Sequence, residues 1–157
     1  MTEEERDTVL QKKWFIFLMT SLLIILSACD DKEWYEADEE TTEEVEEFII
    51  SFREAWGDSL STQSFRPVEE FLYPNSQFFH MKRRNHQQYA SQRIVEETVS
   101  LEVASVEASD DGEVRAKVEE KIEQTGGQIG EEERIRTYYL LPFRDTYRVV
   151  SMERHDN

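Results

Sequence analysis

The chain has 157 residues, room for one domain built on one hydrophobic core. Acidic residues outnumber basic ones 35 to 18, a formal charge of -17 that opposes binding to phosphate backbones and excludes nucleic acid as a partner. The same charge repels the chain from anionic headgroups, so membrane residence requires a covalent or inserted anchor, and a single cysteine leaves no intramolecular disulfide and no multi-cysteine metal site.

Residues 14 to 26 form an uncharged apolar run entered from Lys12 and Lys13 and followed by small residues, which is the anatomy of a signal peptide. At ~1.5 Å per residue the run spans roughly 20 Å as a helix, short of the ~30 Å hydrocarbon core, so cleavage is expected over a permanent span. The closing residues Leu26, Ser27, Ala28 and Cys29 resemble the lipobox of bacterial lipoproteins at all four positions. That resemblance implies a diacylglyceryl thioether on Cys29, cleavage after Ala28, and a cell-membrane anchor on the extracytoplasmic face. Glu3, Glu4, Glu5 and Asp7 depart from the basic leaders usual in lipoproteins, but acidic residues weigh little in orientation beside Lys12 and Lys13.

The segment 30 to 47 carries eleven acids and one base, and its first part can bury little apolar surface. Residues 29 to 40 therefore read as an acidic tether whose like charges extend it, and residues 41 to 157 as the folded domain. A calcium loop is the alternative for the acids, yet the alternating oxygen ligands and central glycine of such loops are missing.

Thr41 and Glu44 have capping-box spacing, and Val45, Phe48, Ile49, Phe52 and Trp56 fall on one helical face, predicting a first helix that stops near Gly57. A second helix is expected from Ser64 to Tyr73, with Pro67 in its first turn and Pro74 as its stop. A third, capped by Asn75 or Ser76, runs through Phe78, Phe79, Lys82, His86 and Tyr89. After Gln92 the period becomes two: Val99, Leu101 and Val103 alternate, as do Val114, Ala116, Val118 and Ile122. Asp110, Asp111 and Gly112 mark a tight turn, Gly126 and Gly127 the next loop, and strands follow over Arg134 to Phe143 and Tyr147 to Glu153. The fold expected is α+β, three N-terminal helices packed on a curved four-stranded antiparallel meander, as in the NTF2-like or cystatin-like cone.

From about Thr42 to Met152 the order and pattern resemble the extracellular NTF2-like domain of the teicoplanin-resistance-associated membrane proteins of Gram-positive bacteria. The cues are the aromatic first helix Phe48 to Trp56, the Phe71-Leu72 turn, the helix ending at Tyr89, and the closing segments Tyr138-Tyr139-Leu140 and Tyr147-Arg148-Val149-Val150. The resemblance implies an extracytoplasmic address and brings no catalytic signature. Those relatives anchor through a transmembrane helix, whereas here the anchor reads as lipid on Cys29.

No catalytic residue, metal site or cofactor is expected. His80 and His86 lie six residues apart and do not share a helical face, and His155 falls beyond the last predicted strand. Glu102, Glu119, Glu123 and Asp145 alternate with apolar neighbours and read as solvent-facing. There is no phosphate loop, nucleophile elbow or HExxH. The one anomaly is the basic cluster Lys82, Arg83 and Arg84 within an acidic chain. It reads either as a contact for an anionic wall polymer, a lipid headgroup or an acidic partner, or as a solvated face pairing with nearby acids. The function expected is a lipid-anchored, non-catalytic binding or scaffold module of the cell envelope, with a cell-wall polymer or membrane protein as partner. The alternative is an NTF2-like pocket protein that binds or turns over a small ligand, which requires a sizeable cavity between sheet and helices.

Overall fold

The computed structural model describes residues 32–127 and 130–155, so the leader, Ala28 and Cys29 lie outside the described residues. A five-stranded antiparallel sheet, in the order β1-β2-β3-β4-β5, is covered on one face by helices. Strand β1 is Trp34–Glu36, β2 Val95–Ser109, β3 Val114–Thr125, β4 Gly130–Phe143 and β5 Thr146–His155; helix α1 is Glu39–Ser61, α2 Arg66–Glu69 and α3 Gln77–Gln92.

The α+β cone stands, but its description as three helices on four strands does not. The added strand β1 lies within the stretch that composition assigns to the tether. Its Trp34, Tyr35 and Glu36 pair with Ser109, Ala108 and Glu107, and the Ala37 amide donates to the Val106 carbonyl at 3.0 Å. Acid content hides this strand, because three residues suffice where β2 offers an unpaired edge. The second helix is also reduced to a single turn, Arg66–Glu69. Past it the chain extends along β5, with Tyr73 donating to Val149 and Val149 to Phe71, each at 2.9 Å. Backbone pairing with an open strand edge outcompetes a further helical turn.

Helix α1 starts earlier and ends later than its sequence signals suggest. Asp38 is the cap: its Oδ1 accepts from the Thr41 amide at 2.7 Å, in place of a box formed by Thr41 and Glu44. The helix passes through Gly57, where an added Cβ would lie 3.2 Å from the Glu96 carbonyl. Gly57 serves a close approach to β2 and does not terminate the helix. Ser76 caps α3 by accepting from the Phe79 amide at 3.0 Å.

In the sheet, β2 carries two irregularities, between Thr98 and Ser100 and between Val103 and Ser105. The first puts Val99 on the outside, 51% exposed, contrary to its expected place in the inward alternation. Such bulges bend a strand, and a third lies where Leu140 pairs with Val149. The core joins Val45, Phe48, Ile49, Phe52, Trp56 and Leu60 of α1 to Ala116, Val118, Tyr138, Leu140 and Val149 of the sheet. Phe52 meets Tyr138 edge-on, with ring centroids 5.6 Å apart.

Candidate functional site

The covered face of the sheet changes character along its strands. Val114, Ala116 and Val118 of β3 are followed on the same face by Glu120, and Leu140 and Tyr138 of β4 give way to Arg136 and Arg134. Above them, the buried stripe of α1 passes from Phe52 to Arg53 and Trp56. An ion network results, largely buried within the end of the cone where α1 closes and β2 begins.

Arg53 and Glu120 are at its centre, with Nε and Oε2 2.6 Å apart. Arg53 Nη2 also lies 3.8 Å from Glu96 Oε2. Glu96 accepts from Trp56 Nε1 at 2.8 Å and from Arg134 Nη2 at 2.9 Å, while Arg134 Nη2 reaches Glu132 Oε2 at 2.8 Å. Arg136 Nη1 completes the set, 3.0 Å from Glu120 Oε1. Burial pushes the Glu96 carboxyl up, but the Arg134 hydrogen bond and the charges of Arg134 and Arg53 outweigh it and hold Glu96 below the usual range.

Lys82 enters this region from α3. It is 8% exposed, and its Nζ lies 3.2 Å from the centroid of the Trp56 ring and 5.9 Å from that of Phe52. Among the described residues no carboxylate lies within ion-pair distance of it. Burial, then the charges of Arg53 and Arg136, push its pKa well below the ordinary lysine value. The basic cluster is thus divided by the helix: Lys82 turns inward, while Arg83 and Arg84 are exposed. Sequence spacing carried that signal, since Lys82 lies four residues after Phe78 and three after Phe79, both buried.

The other buried charges also occupy the apolar phase of their elements. Arg53 falls four residues after Ile49 and three before Trp56, and Glu120 sits between Val118 and Ile122 on the inward phase of β3. Glu102, Glu119, Glu123 and Asp145 are exposed, as their alternation implies.

Between α3 and the sheet a slot of about 30 Å³ opens onto this network. Lys82, Arg134, Arg136 and Arg154 bring positive charge to it against the single carboxylate of Glu96, Asn85 and Tyr89 add polar groups, and Trp56, Met81 and Met152 form its apolar walls. The buried Nε of Arg134 has no hydrogen-bond partner among the described residues. A wider hollow, about 380 Å³, lies at Glu102, Glu119, Lys121 and Glu133, whose side chains belong to the outward phase of the sheet.

His86 has a structural role. Its Nε2 donates to the Ser59 carbonyl at 2.8 Å, tying α3 to the end of α1, and its ring packs on Phe65 and Trp56. His80 is exposed, and His155 Nε2 lies 2.9 Å from Thr137 Oγ1, inside β5. Among the described residues no three His, Cys, Asp or Glu side chains converge as a metal site requires. Nor is any helix among them long and apolar enough to cross a membrane.

Residues 41–153 match the family of the TcaA protein NTF2-like domain, and the chain belongs to that family. Among solved structures it is similar to the intermembrane space region of the chloroplast protein ARC6, with a TM-score of 0.63 and 12% identity. That alignment covers 78% of this chain and 100% of the other, a likeness of fold alone. No curated protein matches the chain.

Proposed function

We propose that this member of the TcaA NTF2-like family is a lipid-anchored, extracytoplasmic and non-catalytic binding or scaffold module of the cell envelope. The observation that carries the reading is the occupied interior of the cone. Where this fold can keep a ligand chamber, Arg53, Glu96, Glu120, Arg134 and Arg136 are ion-paired across the sheet and into α1, leaving a slot of about 30 Å³. Ligand pockets of drug-sized molecules run to roughly 300–1,000 Å³. A side-chain lattice so tied serves to fix a surface more readily than to turn over a substrate.

Support for the address comes from the family and from the leader. Residues 41–153 belong to the TcaA NTF2-like family, and the resemblance drawn from the sequence is to the extracellular domain of such proteins. Lys12, Lys13, the apolar run and Leu26-Ser27-Ala28-Cys29 supply a route across the membrane and a thiol to hold the chain there. Two acyl chains give a stable anchor where one is marginal.

Intact mass and membrane fractionation, on the native protein beside a Cys29→Ala variant, test the reading. A chain beginning at residue 29 with a lipid-sized increment, lost in the variant together with membrane retention, is expected. An unmodified chain that keeps residues 1 to 28 would overturn the lipid anchor and make the apolar run the attachment.

A further inference from the structure

We infer that the slot between α3 and the sheet is an anion-binding site, built to take one carboxylate or phosphate group at Lys82, Arg134, Arg136 and Arg154. This deepens the binding-module reading by naming the chemistry of its ligand, and it rests on that reading.

Charge balance is the first argument. Within the largely buried network four cationic side chains, Arg53, Lys82, Arg134 and Arg136, face two buried carboxylates, Glu96 and Glu120. The remaining carboxylate, Glu132, is largely in solvent and meets Arg134 from outside, with its side chain 57% exposed. A buried cation is costly unless paired, so a surplus of them is stable chiefly where an anion can enter.

Unused donors are the second argument. Lys82 is more than nine-tenths buried, lines the slot, and among the described residues has an aromatic face where a carboxylate would be usual. Arg134 lines the same slot, and its buried Nε has no acceptor among the described residues. Arg154 stands exposed at the strand pair Arg136–Arg154, so a charge on the rim continues into a charge within. Arg83 and Arg84, which a sequence reading groups with Lys82, do not line the slot.

Size and field then select the ligand. A space of about 30 Å³ admits the end of a molecule and not its body, so the anionic group is terminal or projecting. The chain's net charge of -17 repels diffuse polyanions, yet α3 has no acidic residue in its sixteen and shelters the slot from that field. Arginine pairs in two-pronged fashion with either a carboxylate or a phosphate, and lysine supplies a point charge to both.

The test is thermal unfolding of the full-length protein in neutral detergent, titrated with sodium acetate and, separately, with sodium phosphate, against sodium chloride at matched ionic strength. A saturable rise in Tm with one or both oxyanions, beyond that with chloride, is expected. Acetate alone would assign the site to carboxylates and phosphate alone to phosphate groups, and either supports the proposal. Lys82→Met should abolish the rise, Arg154→Gln should raise the midpoint concentration several-fold, and Arg83→Gln with Arg84→Gln should leave it unchanged. Because Arg154 is exposed, its variant reads binding even if Lys82→Met alters the fold. Equal responses to chloride and the oxyanions, or a rise that survives both Lys82→Met and Arg154→Gln, would overturn the site. The anchor is read separately by mass and fractionation, so the two readings can fail independently.

Discussion

Arg53 Nε and Glu120 Oε2 lie 2.6 Å apart between a helix and the sheet beneath it, with both side chains all but closed to water. Forming this pair requires desolvating both ions, and that cost is recovered only while each partner is present. Glu120→Leu alone should therefore destabilise the domain by about 3–5 kcal/mol, because it strips the carboxylate from both Arg53 and Arg136, whereas Arg53→Met should cost less, since Glu120 keeps Arg136 at 3.0 Å. The double variant should recover part of the Glu120→Leu loss, since it removes one of the two stranded cations and leaves only Arg136 without its carboxylate. Urea unfolding of the four proteins gives the coupling energy directly. Equal and additive losses would show that the two residues act only through packing.

Glu96 joins Trp56 of α1 to Arg134 of β4, and its carboxyl is held below the usual range. For an acid with a depressed native pKa, the stabilisation is complete above the unfolded value, ~4.3 for glutamate, and is lost as pH falls through the native one. Wild-type stability should thus fall from about pH 5 downward. Glu96→Gln should lose about 3 kcal/mol at neutral pH and flatten that acid limb. Denaturant midpoints measured between pH 3 and pH 7 compare the slopes; parallel curves would place the acid sensitivity elsewhere.

Lys82 gives the same sign of pH dependence at the alkaline end of the range. It is faced by Arg53 from α1, Glu96 and Glu120 from β2 and β3, Arg134 and Arg136 from β4, and Arg154 from β5, and its pKa is driven down by burial and by the first and fifth of these. An unfolded lysine takes up a proton below ~10.4, whereas the native one resists doing so, so stability rises with pH across the interval between the two values. Lys82→Met should remove that slope. At neutral pH without oxyanions it should also raise stability, by up to about 4 kcal/mol, as apolar replacements of buried charge do. Unfolding of both proteins from pH 7 to pH 9 checks this, a range that stays about one unit below the ordinary tyrosine pKa of ~10. A variant less stable than wild type throughout would show that the contact with Trp56 outweighs the cost of burial.

Where sequence patterns repeat over several residues, they disclosed the structure. The α1 stripe from Val45 to Trp56, the Ser76 cap and the turn at Asp110 to Gly112 each depend on local chemistry. Features decided by a distant partner stayed hidden. Gly57 has the residue type of a helix stop, and only the Glu96 carbonyl of β2 shows why it lies inside α1. Residues 70–73 could prolong a helix in isolation, but the edge of β5 draws them into pairing. The ion network was partly visible, since Arg53, Glu120 and Lys82 all sit in the apolar phase of their elements. What the sequence lacks is which of these inward charges meet, because that depends on strand register and on bulges in β2.

Strand β1 offers the same lesson at the surface, and a test of how the domain begins. Its three residues pair with the open edge of β2, and side-chain contacts add to that pairing. Trp34 holds them: the Arg115 guanidinium lies 4.5 Å from its ring centroid, and Tyr139 meets it edge-on at 6.0 Å. Arg115 is itself fixed by Glu107, the β2 partner of Glu36, at 2.7 Å. Replacing Trp34 with Ala should cost only about 1 kcal/mol globally, the worth of a partly exposed cation–π contact and some buried area. Locally the effect should be large, because pairing with β2 would no longer be held in place. Amide exchange should speed at residues 34 to 37, including the Ala37 amide bonded to Val106, while the α1 stripe keeps its protection. Arg115→Ala should reproduce this pattern in weaker form. If exchange accelerates across α1 as well, β1 is an integral part of the cooperative core; if residues 34 to 37 remain protected, the backbone ladder and not Trp34 sets where the fold begins.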